Sequence, residues 1–330
     1  MFDLLKKLCD IAAPSGCETG MHDIIRQKIE PYVDEISIDN MGNLIAHKKG
    51  TGKKLMFCAH TDEIGLIATC FSKEGRVYVS ALGGVSPYAA LYQRVRFTGG
   101  ACGVVVPDGK PEELLKDLKM QNLYVDIGAG SEEEAEKMVS LGETACFVGA
   151  FIEQGDCVVS KALDDRAGCL VLIETIRRIK AHTHDLYFVF TAAEELGLRG
   201  AKAVAHTVCP DYAVAIDVTK TGDVPSTGKM AVEMGKGVAI KIKDSSFLAH
   251  PIVKNKMKEI CKRDNICHQL EVLDRGGTDA GAIHTTCGGV PSGCISLPTR
   301  YIHSPGEMMH KDDLKAAICL ATALASEEME

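Results

Sequence analysis

Apolar positions near the start of the chain fall at helical spacing. Phe2, Leu5, Leu8 and Ile11 recur on one face, Met21, Ile24, Ile25 and Ile29 do so again, and Pro31 closes the second run. Residues 36–46 alternate about a turn at 40–43, and the unbroken run LMFCAH (55–60) reads as a buried strand. Between about Ile64 and Asp156 the texture changes to short strand-like pieces separated by glycine, at 76–79, 95–98, 103–106 and 123–127. One helix is signalled there by a capping box, Ser131 with Glu134, and a stop at Gly142. Alternation of helix and strand then returns: a helix over 163–180, a strand over 186–193, a helix over 195–206, and a strand over 212–218. A helix opening near His250 with Pro251 in its first turn runs to about Arg263, and Asp312 caps a last one ending near Ser326. The pattern predicts an α/β fold with a central mixed sheet flanked by helices. Residues 1–63 and 156–330 form it, and a small β-rich unit, 64–155, is inserted between them.

Composition narrows the classes. The 330 residues are 46% hydrophobic and 25% charged, as in an ordinary globular protein. A net charge of −8 argues against nucleic acid as a partner. No apolar run reaches the roughly 18 residues of a membrane span. The opening segment carries Asp3 and Lys7 within its apolar pattern, so it reads as an amphipathic helix and not a signal peptide. Fourteen cysteines are scattered, several inside apolar runs, with no C-x-x-C pair. Buried, reduced thiols in a cytoplasmic protein are the expectation.

Several apolar strands end in an ionisable residue. LMFCAH ends in His60, with Asp62 two residues on; YFVFTAA leads into Glu194 and Glu195; YAVAI leads into Asp217. Open α/β sheets bind ligands at the carboxyl ends of their strands. The loops KALDDRAG, with Asp164 and Asp165, and TRYIHSPGE, with His303, add candidates. Each has an ordinary alternative: a hydrogen-bonded surface histidine, acidic residues favoured by a helix dipole, an aspartate N-cap, a plain loop residue. The joint set of two imidazoles and three carboxylates suits zinc, cobalt or manganese. Two ions need a bridging carboxylate, which Asp164 or Asp165 could supply. In the Glu194-Glu195 pair one side chain can bind metal while the other acts as general base toward a water whose pKa the metal lowers toward about 7. Asp62 is placed to accept the free ring N–H of His60.

HTDEIG, ALDDRAG, TAAEELGLRGA, AIDV, GGTDAG and YIHSPGE, in this order, resemble the tetrahedral (deblocking, glutamyl) aminopeptidases, a family of co-catalytic metallopeptidases. The resemblance spans essentially the whole chain. It implies an aminopeptidase that releases N-terminal residues from peptides with two divalent ions per subunit. His60 and Asp217 would hold one ion, Glu195 and His303 the other, with Asp164 as the bridge, Glu194 as the base and Asp62 orienting His60. The loop 276–281, with Gly276, Gly277 and Asp279, would lie near the substrate. The insertion would be a dimerisation domain, and dimers would assemble into a hollow dodecamer. Asp165 stands where many relatives have Asn, and the segment 223–228 (DVPSTG) is longer than the usual turn.

Two other readings compete. An endoglucanase-type glycoside hydrolase needs only two carboxylates, for which Glu194 and Asp62 would serve. It has no use for histidine ligands, and a chain without Trp and with 5% aromatics lacks sugar platforms. A non-enzymatic metal-storing or scaffolding protein would close its site with four ligands and leave no spare base.

Overall fold

The computed structural model describes residues 1–225 and 228–329. Ser226 and Thr227, inside the long 223–228 segment, lie outside the described residues.

A large mixed sheet runs in the order Glu35–Ile38, Leu44–Lys48, Asp185–Thr191, Lys54–His60, Tyr212–Thr219, Ser292–Arg300, Glu307–His310, Cys157–Ser160, Ile152–Gln154. Val238–Lys243 branches from Ser292–Arg300 and pairs with His268–Val272. The four central strands are mutually parallel. Helices cover both faces, so these strands are apolar on both sides, as parallel sheets require. Leu55, Phe57 and Ala59 pack beneath the helices Phe2–Asp10, Thr19–Ile29, Leu163–Arg178 and Lys311–Ser326. Met56 and Cys58 face the opposite layer, with Arg199–Val208 and Asp279–Ile283. Among the described residues, no helix is long and apolar enough to cross a membrane.

The second unit is a closed antiparallel barrel of six short strands from Gly65–Phe71 to Thr144–Phe147. Its core is separate, built on Leu66, Val79, Val95, Phe97, Val105, Leu123, Val125 and Phe147. Closure removes the sheet edges that an open antiparallel unit would leave unpaired. The chain rejoins the large sheet at Ile152–Gln154, which pairs with Cys157–Ser160. The return therefore falls a few residues before the expected boundary at 155.

Two helix starts differ from the sequence pattern. The helix expected from Glu195 begins at Arg199, because Gly197 (φ +107) and Leu198 (φ +59) adopt left-handed backbone. That leaves Glu194 and Glu195 on a loop. The last helix is capped by the His310 side chain, which accepts from the Asp312 N–H, rather than by Asp312. In the barrel, Ser131 accepts from Glu134 N as expected, while the Glu134 carboxylate takes Gly130 N instead of closing the box.

Candidate active site

Parallel register brings the strand ends together. Cys58 pairs with Ala215; two residues further along both strands, His60 stands beside Asp217, with Nε2 3.9 Å from its Oδ1. Asp164 lies at the start of Leu163–Arg178, where its backbone and that of Asp165 depart from helical values. Its Oδ1 lies 2.9 Å from His60 Nε2, and its Oδ2 3.3 Å from His303 Nε2. His303 Nε2 is also 3.2 Å from Glu195 Oε1. His60, Asp164, Glu194, Glu195, Asp217 and His303 share the wall of one cavity of about 350 Å³. Asp165 turns the other way: its carboxylate accepts from His60 N at 3.3 Å and Gly168 N at 3.0 Å.

Asp62 lies against the other ring nitrogen of His60. His60 Nδ1 lies 3.1 Å from the Asp62 backbone carbonyl and 3.4 Å from its carboxylate. The fully buried carboxylate is the hub of the 193–195 turn, accepting from Glu194 N (3.0 Å), Glu195 N (3.2 Å) and the Ser15 hydroxyl (2.6 Å). Glu18 supports the same turn by accepting from Ala193 N, a residue in left-handed backbone. Gly276 and Gly277 line the cavity. Asp279 is not among its lining residues: it is 3% exposed and accepts from the Thr191 hydroxyl at 2.6 Å.

Glu307 is a residue the strand-end pattern misses. Its two oxygens accept from Asp164 N (3.0 Å) and His303 N (2.9 Å), so one buried carboxylate fixes the backbone of both. Its signal in the sequence is its place at the end of YIHSPGE, four residues after His303. Gly83 and Gly84 are likewise unmarked. This barrel turn reaches the site so closely that a Cβ on Gly83 would sit 2.9 Å from Glu195 Oε2, and one on Gly84 2.7 Å from His303 Cε1.

Electrostatics test whether cations fit. Burial pushes the carboxyls of Glu194, Asp217 and Asp165 well up, and neighbouring carboxylates push further: Asp217 on Glu194, Asp164 on Asp217, Asp217 on Asp165. Burial opposes charge on both imidazoles, yet the adjacent carboxylates outweigh it. Asp164 and Asp62 hold His60 well above its ordinary value, and Asp164 with Glu195 raises His303 to about 11. Burial also opposes charge on Asp164, but the two histidines hold it below the usual carboxylate range. The pocket thus has more carboxylate than the two imidazoles balance. Two groups, His60-Asp164-Glu195 and His60-Asp165-Asp217, each offer three ligand atoms within 4.8 Å of one another. Imidazole nitrogen and carboxylate oxygen at this spacing fit borderline divalent cations.

A family model described as M42 glutamyl aminopeptidase matches residues 42–320, and the candidate ligands all fall inside that span. The chain belongs to this family. An Acetivibrio thermocellus protein named as an aminopeptidase is 50% identical over 97% of both chains. The solved aminopeptidase APDkam598 from Desulfurococcus kamchatkensis superposes with a TM-score of 0.95 at 38% identity, covering 99% of this chain and 94% of that one. The Pyrococcus horikoshii TET1 peptidase, which can assemble into a tetrahedron or a large octahedral shell, matches with a TM-score of 0.88 at 34% identity over 99% of both. This M42 chain is an aminopeptidase, a hydrolase acting on peptides. Its sheet, helices and separate barrel are those of the M42 aminopeptidase fold.

Proposed function

We propose that this aminopeptidase uses two divalent cations and Glu194 as general base to release the N-terminal residue of a peptide. His60 and Asp217 would hold one ion, Glu195 and His303 the other, with Asp164 between them. The ions, zinc, cobalt or manganese by donor type, would polarise the scissile carbonyl and acidify water. The observation that carries the reading is the division of one carboxylate: Asp164 turns Oδ1 to His60 and Oδ2 to His303. Asp62 holds the turn that aims the two glutamates apart, so Glu195 meets His303 while Glu194 faces the cavity. Glu194 then takes a proton from the attacking water and returns it to the leaving amine. A glycosidase pair has no need of carboxylates interleaved with imidazoles.

The test is turnover of free and N-acetylated aminoacyl anilides before and after chelation, with zinc, cobalt and manganese restored in turn. Activity on free amines alone, lost with chelator and regained with metal, is expected. Full activity in metal-free protein would overturn the reading. We further propose that copies of the chain associate through the barrel, as dimers within a larger homo-oligomeric shell. Tyr88, Tyr92 and Leu141 stand 55%, 57% and 69% exposed on it. Light scattering that finds a monomer would reject this.

A further inference from the structure

Cys209 and Cys287, both exposed, are 78 residues apart in sequence but meet at one backbone carbonyl. Cys209 ends the helix Arg199–Val208 and donates its N–H to Ala205 O at 2.8 Å. Cys287 follows the short helix Asp279–Ile283, and its thiol donates to the same oxygen at 3.5 Å. Both residues adopt left-handed backbone, φ +47 and +50, where glycine or asparagine is the ordinary choice. Interaction with the Cys287 side chain is also the main cause that raises the Cys209 thiol above its usual value. Other exposed cysteines turn elsewhere: Cys102 to Gly100 O and Cys267 to Lys236 O. Buried cysteines such as Cys58, Cys169 and Cys294 are pushed well up by desolvation and held inert in the core.

We infer that Cys209 and Cys287 are a dithiol modification site that closes to an intramolecular disulfide. The oxidant is a peroxide or a small-molecule disulfide. With hydrogen peroxide, one thiolate attacks an O–O oxygen to give a sulfenic acid and water. The second thiol then displaces the hydroxyl at that sulfur, releasing a second water. Two sulfurs lose one electron each, the peroxide gains two, and both thiol protons end in water. The bond needs Cα atoms about 4.4–6.8 Å apart, and the shared Ala205 carbonyl brings the Cys287 sulfur to the turn that carries Cys209.

Its consequence lies in what the two helices carry. Leu198, immediately before the first, lines the active-site cavity, as do Gly276 and Gly277 before the second. The helices touch near that end, where a Cβ on Gly281 would sit 3.5 Å from Leu198 Cδ1. A bond at their far ends would tie the two walls together and close a loop of nearly eighty residues, which restricts the unfolded chain.

The experiment uses the whole metal-loaded protein, treated with hydrogen peroxide and, separately, with glutathione disulfide. Expected are a loss of two of the fourteen titratable thiols, a mass lower by two hydrogens, and a proteolytic peptide linking Cys209 to Cys287. A higher melting temperature should accompany them, and dithiothreitol should reverse every change. Cys209→Ser and Cys287→Ser should each abolish the linked peptide and the thermal shift, leaving at most a single adduct on the remaining thiol. Independent adducts on both cysteines of the unsubstituted protein, or the same two-thiol loss in Cys209→Ser, would overturn the inference.

Discussion

Every residue of the strand Tyr212–Thr219 is buried, whereas the barrel strand Arg94–Phe97 alternates exposed with buried. The first is sandwiched between two layers of helix and has nowhere to place a charge until Asp217, near its carboxyl end. The second has a wet face at every other position and scatters its arginines there without chemical consequence. A doubly covered parallel sheet therefore concentrates ionisable side chains at one edge, while a barrel with one dry face disperses them. Chemistry should fail when the sheet edge is altered, and stability or assembly when the barrel is altered.

Glu194→Gln tests the first half most severely. The variant should keep its fold and its bound metal but lose roughly 10²–10⁴ in rate on aminoacyl anilides. Turnover within a few-fold of the parent would show that another group moves the proton. Next in size is Glu63, which follows Asp62 and joins the two units. Its carboxylate pairs with Lys161 (2.7 Å) on the returning chain and with Arg166 (3.2 Å), all three buried. Arg166 also donates to Thr61 O and Ile11 O. Glu63→Ala would strand two buried cations and should cost about 3–5 kcal/mol in a urea titration. A loss under about 1 kcal/mol would mean that water reaches the pair and the units are loosely joined.

The barrel's Gly83-Gly84 turn sharpens the contrast, because it is where the dispersed unit touches the concentrated one. Gly84→Ala demands no unusual backbone, yet its methyl would crowd the His303 ring. A drop of about 10–100-fold in kcat/KM is expected, the usual size for disturbing a group that orients a ligand, with an unchanged melting temperature. Normal kcat/KM would show that His303 can move aside, and that the barrel contributes nothing to the chemistry.

The same contrast explains what could be read from the sequence. His60, Asp217 and the Glu194-Glu195 pair were legible because each interrupts an apolar run where a buried strand must end. Strand Ser292–Arg300 lies beside Asp217 yet gave no pattern, since Gly293 and Pro298 break its run. Val238–Lys243 was hidden by Lys241, whose ammonium is buried through its ion pair with Glu271. Asp62 and Glu307 do their work on backbone N–H groups far away in sequence. Such partners exist only once register is set, so spacing could not announce them.

The smallest expected effect concerns Asp279, beneath the sheet edge and outside the cavity lining. Burial, with the nearby Asp62 charge, raises its carboxyl to about 6 despite the Thr191 hydroxyl, and its Oδ1 has no hydrogen-bond partner among the described residues. An unfolded aspartate titrates near 3.9. The native state therefore binds the proton more tightly, and this contribution to stability is present below about pH 4 and lost as pH rises through about 6. Two pKa units correspond to roughly 2–3 kcal/mol. Asp279→Asn keeps an acceptor for Thr191 and removes the titration. Its stability relative to the parent should rise between pH 4 and pH 7 by up to that amount, read from paired urea titrations of metal-loaded protein. A constant difference across that range would mean Asp279 stays ionised throughout, and that charge at this sheet edge extends one layer deeper than the cavity wall.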